Sequence, residues 1–244
     1  MHDHINAFRR RGNFLLDSLD DEEYWQVDPH LQVVRLAAKD VIGERDASHT
    51  HVYFPCTSVL SVLVLLSDGS AVEVGTVGKE GMGGIEALAG GDRWTETVIC
   101  QIEGHSFCMP RSAFADAING DTGLRRITQR YLLAYLGMVS QSVACNRLHA
   151  IEARFARWVL MTHDRVGGSE FGLTQEFLAD MLGVKRPSIS LVAGAFQQAG
   201  LIRYSRGHMM ILDRPGLEKA SCECYDVVRR QLDQSYEFDD ARMH

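Results

Sequence analysis

No stretch of this sequence stays apolar over the roughly 18 residues that a membrane span needs. Residues 1–11, which end in Arg9, Arg10 and Arg11, hold no apolar core of the kind a secretion signal carries. Both absences lead to the expectation of a cytoplasmic chain with no membrane partner. The six cysteines, Cys56, Cys100, Cys108, Cys145, Cys222 and Cys224, contain no Cys-x-x-Cys pair. No zinc ribbon or cluster framework is therefore in view, and cytoplasmic thiols stay reduced. Cys222 and Cys224 form a Cys-x-Cys, read as packed or idle thiols, with a metal or redox role as the minor alternative. Also missing are a Ser-His-Asp set, a glycine-rich phosphate loop and metal-ligand spacing, so no enzyme is expected. Basic charge is in deficit: the net charge of the 244 residues is −7.

What is present begins with residues 173–191. Thr174 is placed to cap a helix, and Phe177, Leu178, Met181 and Leu182 give that helix an apolar face. Gly183 breaks the pattern as a tight turn requires. A second helix opens with Lys185 and Arg186 and runs on through Ser188, Ser190, Ala193, Gly194 and Ala195. This is a helix-turn-helix pattern, whose second helix lies in the DNA major groove with its first residues against base edges. An ordinary helical hairpin would read alike, but the sequel decides between them. Ile202, Arg203 and Tyr204 lead through Ser205, Arg206, Gly207 and His208 into Met209, Met210 and Ile211, a strand, a glycine turn and a second strand. A basic-tipped hairpin after such a helix is a wing, with its tip placed for phosphates. The negative net charge does not oppose this, since distribution matters more than the sum. Lys185, Arg186, Arg203, Arg206 and Arg214 outweigh Glu176, Asp180 and Asp213 over residues 173–214. The acidic excess lies in residues 17–23 and 237–240.

Residues 31–110 have a different texture: short apolar runs separated by turns, most clearly Ser67, Asp68 and Gly69. Val72, Val74 and Thr76 alternate with Glu73, Gly75 and Val77, as on a half-buried strand. The pattern predicts an antiparallel β-barrel or roll. A long helix follows. Leu124, Ile127, Tyr131, Ala134, Met138, Gln141, Cys145 and Leu148 are spaced three and four residues apart in turn. A buried helix of a large core would show the same stripe. With a domain on either side, the spacing points instead to a dimer seam, on which Gln141 would set register.

In this order the parts resemble the bacterial Crp–Fnr family of transcription regulators. The likeness rests on His51 to Pro55 with Asp68, Gly69 and residues 73–82, on residues 151–160, and on the helix-turn-helix and wing. It implies an α+β fold: an N-terminal antiparallel β-roll of the cyclic-nucleotide-binding jelly-roll kind (1–120), a long coupling and dimerisation helix (121–148), a C-terminal winged helix-turn-helix (149–220), and a last helix with an acidic tail (221–244). It implies a homodimer on a palindromic operator in double-stranded DNA, with RNA polymerase as a further partner. Carried over by position, Arg186 reads guanine, and Gln175, Lys185, Ser188, Arg206 and His208 match phosphate-contacting positions beside the cap Thr174. Ser190 lies one turn along the same face. Pro187 stands where known members have a glutamate that reads cytosine, and Leu191 where one has a second arginine, so a different operator is expected. Cyclic-nucleotide sites in this fold use a Gly-Glu pair and a later arginine. The corresponding residues here are Gly83, Gly84, Glu86 and Arg93, but Ile85 separates Glu86 from the glycines and Arg93 sits in another local frame. No cofactor is expected, and cyclic AMP is not the expected effector. An iron–sulfur sensor is not expected either, since the N-terminal cysteine cluster is absent. Haem stays open through His49 and His51, although single histidines on strands more often pack or face solvent. The alternative function is a small-molecule sensing module whose DNA binding depends on ligand.

Overall fold

Residues 12–237 are described by the computed structural model, so the arginine run at 9–11 and the acidic tail residues 238–244 lie outside the described residues. Two short helices come first, α1 (Phe14–Asp17) and α2 (Asp21–Val27). Asn13 is fully buried and caps α1, while its amide donates to the carbonyls of Pro55 and Gly81 at 2.8 and 2.9 Å. One side chain thus both starts a helix and fastens it to the sheet.

Seven strands follow: β1 (Gln32–Leu36), β2 (Val41–Gly43), β3 (His51–Pro55), β4 (Val59–Leu65), β5 (Ala71–Val77), β6 (Thr97–Ile102) and β7 (Gly104–Pro110). They form two antiparallel sheets, ordered β1-β7-β3 and β2-β6-β4-β5. Residues 66–70 close the β4–β5 hairpin, where the Ser67-Asp68-Gly69 signal placed it. Leu60, Val62, Val77, Trp94, Val98 and Cys100 fill the space inside. On β5 the buried side is not the valine side. Glu73 is buried while Val72 and Val74 are half-buried, because helices cover the face that carries the glutamate.

After α3 (Arg111–Ala117) comes the longest helix, α4 (Gly123–Leu148), 26 residues capped by Thr122. Here the dimer-seam expectation is corrected. Leu124, Ile127, Tyr131, Ala134, Met138 and Cys145 are buried within this one chain, and Gln141 is half-buried. Leu124, Ile127 and Tyr131 pack with α1, α2 and β3, Met138 joins the DNA-binding core, and Gln141 and Cys145 meet the C-terminal segment. A three-four spacing reports a helix with one covered face; it does not report which chain covers it. Leu148, at the end of the stripe, is 75% exposed.

The remaining elements are α5 (Ile151–Arg165), β8 (Glu170–Gly172), α6 (Gln175–Leu182), α7 (Arg186–Gln198), β9 (Ile202–Ser205), β10 (His208–Ile211), α8 (Arg214–Ala220) and α9 (Cys224–Glu237). β8 joins the expected hairpin to make a three-stranded sheet, β8-β10-β9. α9 runs back antiparallel along α4. Cys224 lies beside Gln141, Gln231 crowds Gly137, and the Tyr236 hydroxyl donates to the carbonyl of Glu80. Among the described residues no helix is long and apolar enough to cross a membrane.

The roll and the DNA-binding half meet in a buried polar joint. Arg165 of α5 donates to Glu80 from Nε and Nη2, each at 2.7 Å, and to the carbonyls of Met161 and Thr76 at 2.6 and 3.3 Å. Beside it, Glu73 accepts from Trp158 Nε1 at 2.9 Å and from Thr76 Oγ1 at 2.7 Å. Ser61 Oγ stands 2.5 Å from Glu73 Oε2 and 2.9 Å from Gln101 Oε1, and Gln101 Nε2 donates to Thr162. With Gln101 so turned, one serine hydrogen cannot serve both oxygens. A proton on Glu73 would complete the set by donating to Ser61. Burial drives the Glu73 pKa up, toward that state, against the lowering effect of the hydrogen bonds recorded from Ser61, Thr76 and Trp158.

Two outcomes follow for stability. Removing one partner of a buried ion pair leaves the other uncompensated, so Arg165→Met is expected to lower the unfolding free energy by about 3–5 kcal/mol in urea titration. A loss under about 1 kcal/mol would show that the joint does not hold the two halves. For Glu73 the folded pKa lies above the unfolded value. Its contribution is therefore full below the unfolded carboxyl pKa, about 4.3, and is lost as pH rises through the folded value. Glu73→Gln should gain on the wild type as urea melts move from about pH 5 to about pH 8, and a constant difference would mean that the carboxyl is ionised throughout.

Candidate nucleic-acid interface

Thr174 Oγ1 accepts from the Phe177 N–H at 3.1 Å and starts α6 where the sequence placed the cap. Leu178, Ala179, Met181 and Leu182 turn inward. Gly183 ends the helix at φ +60°, and the chain turns into α7. Ile189, Val192, Ala193 and Phe196 hold α7 to the core. Its opposite side leaves Arg186, Pro187, Ser190 and Leu191 exposed. No side chain among the described residues caps the start of α7, so the positive end of its dipole sits beside Lys185 and Arg186. Pro187 occupies the first turn, where its missing N–H removes no helical bond.

The wing turn is as short as a hairpin allows. Ser205 pairs with His208 across Arg206 and Gly207, which lie at φ +50° and +79°. Two consecutive left-handed residues make a type I′ turn, which matches the strand twist. Arginine is an uncommon occupant of that conformation, which favours Gly, Asn and Asp. Tyr204 fixes the wing to the helices: its hydroxyl donates to the Leu173 carbonyl at 2.8 Å and its N–H to Gln197 Oε1 at 2.8 Å. Burial pushes the Tyr204 pKa up to about 12, with the Arg186 guanidinium pulling the other way, so the hydroxyl keeps its proton.

Thr174, Gln175, Arg186, Tyr204, Arg206 and Gly207 border one open hollow of about 350 Å³. The Ser190 hydroxyl donates to Gln175 Oε1 at 2.7 Å and so ties the two helices together. Arg186 and Arg206, thirteen residues of helix and half a hairpin apart in sequence, thus share one rim. Lys185 lines a different cleft, with Leu66, Val72, Asn146 and Arg154. Ser188 is half-buried, and His208 is exposed on β10 opposite Ser205 and Gly172. Sequence reasoning did not single out Tyr204 as the clip between wing and helices. Leu191, noted only as a missing arginine, is an apolar group 77% exposed on the outer side of α7.

The residues expected around an effector, Gly83, Gly84, Glu86 and Arg93, each have a local setting in the roll. Gly83 bridges to Tyr53 of β3, and Gly84 begins a single 3-10 turn, Ile85–Ala89. Glu86 Oε1 accepts from the Thr95 N–H and hydroxyl at 3.0 and 2.9 Å. Arg93 donates to the carbonyl of Asp46 at 2.5 Å. Tyr131 of α4 lies so close over Gly81 that no Cβ fits there. His49 is buried edge-on against Trp94, ring centroids 4.4 Å apart, and burial lowers its pKa. His51 Nδ1 lies 3.0 Å from the Thr50 hydroxyl. His51 thus has a local partner, whereas both ring nitrogens of His49 are buried without a hydrogen bond.

Two family models match the chain in the order the fold shows. The cyclic nucleotide-binding domain matches residues 33–121, and the Crp-like helix-turn-helix domain matches residues 153–220. The chain belongs to the Crp–Fnr family of transcription regulators. It is a DNA-binding regulator, as the helix-turn-helix and wing implied. Several solved structures share its fold. FixK2 from Bradyrhizobium japonicum superposes with a TM-score of 0.68 at 16% identity, over 79% of this chain and 98% of that one. A CRP-family transcriptional regulator from Thermus thermophilus gives 0.65 at 23% identity, over 77% and 96%. The c-di-GMP responsive global regulator CLP of Xanthomonas campestris gives 0.58 at 14% identity, over 80% and 100%. No curated protein matches the sequence.

Proposed function

We propose that this Crp–Fnr regulator binds a palindromic operator as a homodimer in the cytoplasm, acts on transcription through RNA polymerase, and carries out no catalytic step. One observation carries the DNA-reading part. Arg186 stands exposed in the first turn of an uncapped helix, on the same hollow as Arg206 at the wing tip. Arg186 reads guanine by a bidentate pair, and Arg206 meets phosphate beside it. Thr174, Gln175 and Ser190 set the frame, while Lys185, Ser188 and His208 add contacts to the backbone of the duplex.

The dimer forms on the outer face of α4. Gln129, Leu133, Leu136, Ser140, Val143 and Arg147 follow a four-three spacing on the side away from the core. Leu133, Leu136 and Val143 are 71%, 52% and 64% exposed, an apolar stripe on a helix otherwise well covered. A second copy of the same stripe would bury all three, at roughly 1.5–3 kcal/mol for each side chain fully covered. Two-fold pairing along α4 presents two recognition helices about one DNA turn, roughly 34 Å, apart. Cyclic AMP is not the effector in this reading, since Glu86 and Arg93 are spent on Thr95 and Asp46.

Arg186→Ala is expected to weaken specific binding by about 1–3 kcal/mol per half-site in gel shifts on an operator selected from random DNA. Unchanged affinity with unchanged base preference would remove Arg186 from the reading role. Leu136→Glu, at an exposed position, should leave the circular dichroism spectrum intact and give monomers in light scattering at micromolar concentration. Persistence of the dimer would place the interface elsewhere.

A further inference from the structure

We propose that Cys145, His149, Cys222 and Cys224 bind one zinc ion, which clasps the end of α4 to the start of α9. Their ligand atoms all lie within 4.8 Å of one another. Cys145 Sγ is 3.6 Å from Cys222 Sγ, and Cys224 Sγ is 3.4 Å from His149 Nδ1. Zinc–sulfur bonds of about 2.3 Å and zinc–nitrogen bonds of about 2.0–2.1 Å give tetrahedral edges of about 3.8 Å and about 3.5 Å. The two edges therefore already have the length that the ion requires.

The sequence supplies the ligands in two pairs. Cys145 and His149 are four residues apart and leave the last turn of α4 on one side. Cys222 and Cys224 flank Glu223 where the chain enters α9. Three of the four are buried, and His149 is partly covered. The outer contacts also fit. His149 Nε2, the nitrogen turned away from the cluster, lies 3.4 Å from a Glu223 carboxylate oxygen. A carboxylate on the far nitrogen is the usual way a metal-binding histidine is oriented. Gln141 Nε2 lies 3.0 Å from Cys224 Sγ as a donor to it. Arg157 and Arg154 of α5 supply positive charge beside Cys145, against the single net negative charge of a zinc ion with three thiolates.

A disulfide between Cys145 and Cys222 is the competing use of the cluster. It would bring two sulfurs to about 2.05 Å and leave Cys224 and His149 without a role. One ion uses all four, and a mixed sulfur and nitrogen tetrahedron suits zinc. The clasp sits at the joint between α4 and α5, residues 149 and 150, so it fixes the hinge through which the long helix meets the DNA-binding half.

The test is the metal content of the full chain, purified with reductant and without chelator. About one zinc per chain is expected by mass spectrometry, retained in Cys56→Ser and lost in the double variant Cys222→Ser, Cys224→Ser. A chelator should lower the melting temperature of the wild type by several degrees and leave that of the double variant unmoved. Because the double variant could fail for lack of folding, the wild type freed of metal is also titrated with cobalt. The visible bands of tetrahedral thiolate coordination should saturate at about one equivalent and bleach on addition of zinc. His149→Cys should keep binding, with a shifted spectrum. A metal-free native protein with a featureless cobalt titration overturns the proposal. So does native protein that holds iron and sulfide instead, or a Cys145–Cys222 disulfide.

Discussion

A buried ion pair, Arg165–Glu80, ties the DNA-binding half to the roll. Between α4 and α5 the chain has only residues 149 and 150 as a covalent link, and a link that short permits many orientations. Arg165 reaches from the last turn of α5 into the roll, where the Glu80 carboxylate and the Thr76 carbonyl engage it, while the Met161 carbonyl of its own helix takes a third bond. A buried ion pair of this kind adds little net stability over an apolar substitute, because both charges lose their water. It does select one arrangement, since any rotation of α5 strands a charge. Glu73 adds to that selection, its carboxyl held by Trp158 of α5 and by Ser61 and Thr76 of the roll.

The DNA-binding site was readable from sequence because its parts are contiguous. The Thr174 cap, the Gly183 turn, the cations at the start of α7 and the Arg206-Gly207 tip fall in order within residues 173–211, and each reports a local backbone requirement. The roll was readable for a similar reason, through turns such as Ser67-Asp68-Gly69. The third strand of the wing sheet, β8, gave little signal, being only three residues long.

What stayed hidden depends on contacts between distant residues. Spacing along α4 revealed a covered face, but the cover is α1, α2, β3 and the C-terminal segment rather than a second chain. The same helix carries a second stripe through Leu133, Leu136 and Val143, and one sequence pattern cannot rank two such faces. On β5, alternation gave the two sides without saying that helices would bury the one with Glu73. The cysteines are the plainest case. Cys145 and Cys222 are 77 residues apart and bear no recognisable spacing, yet their sulfurs are neighbours. Only the antiparallel return of α9 along α4 brings them together.

The left-handed Arg206 has a consequence for how the wing behaves. A glycine or asparagine at that position would hold the turn with less strain, so the tip is a point of local frustration, retained where a cation is useful. Frustrated turns sit at the low end of local stability and open before the strands they join. A phosphate that gathers the guanidinium would lend the turn the stabilisation that its own backbone withholds. On the phosphate contact proposed for Arg206, the DNA would complete the folding of the wing tip, and tightness of binding and rigidity of the hairpin would become two readings of one equilibrium.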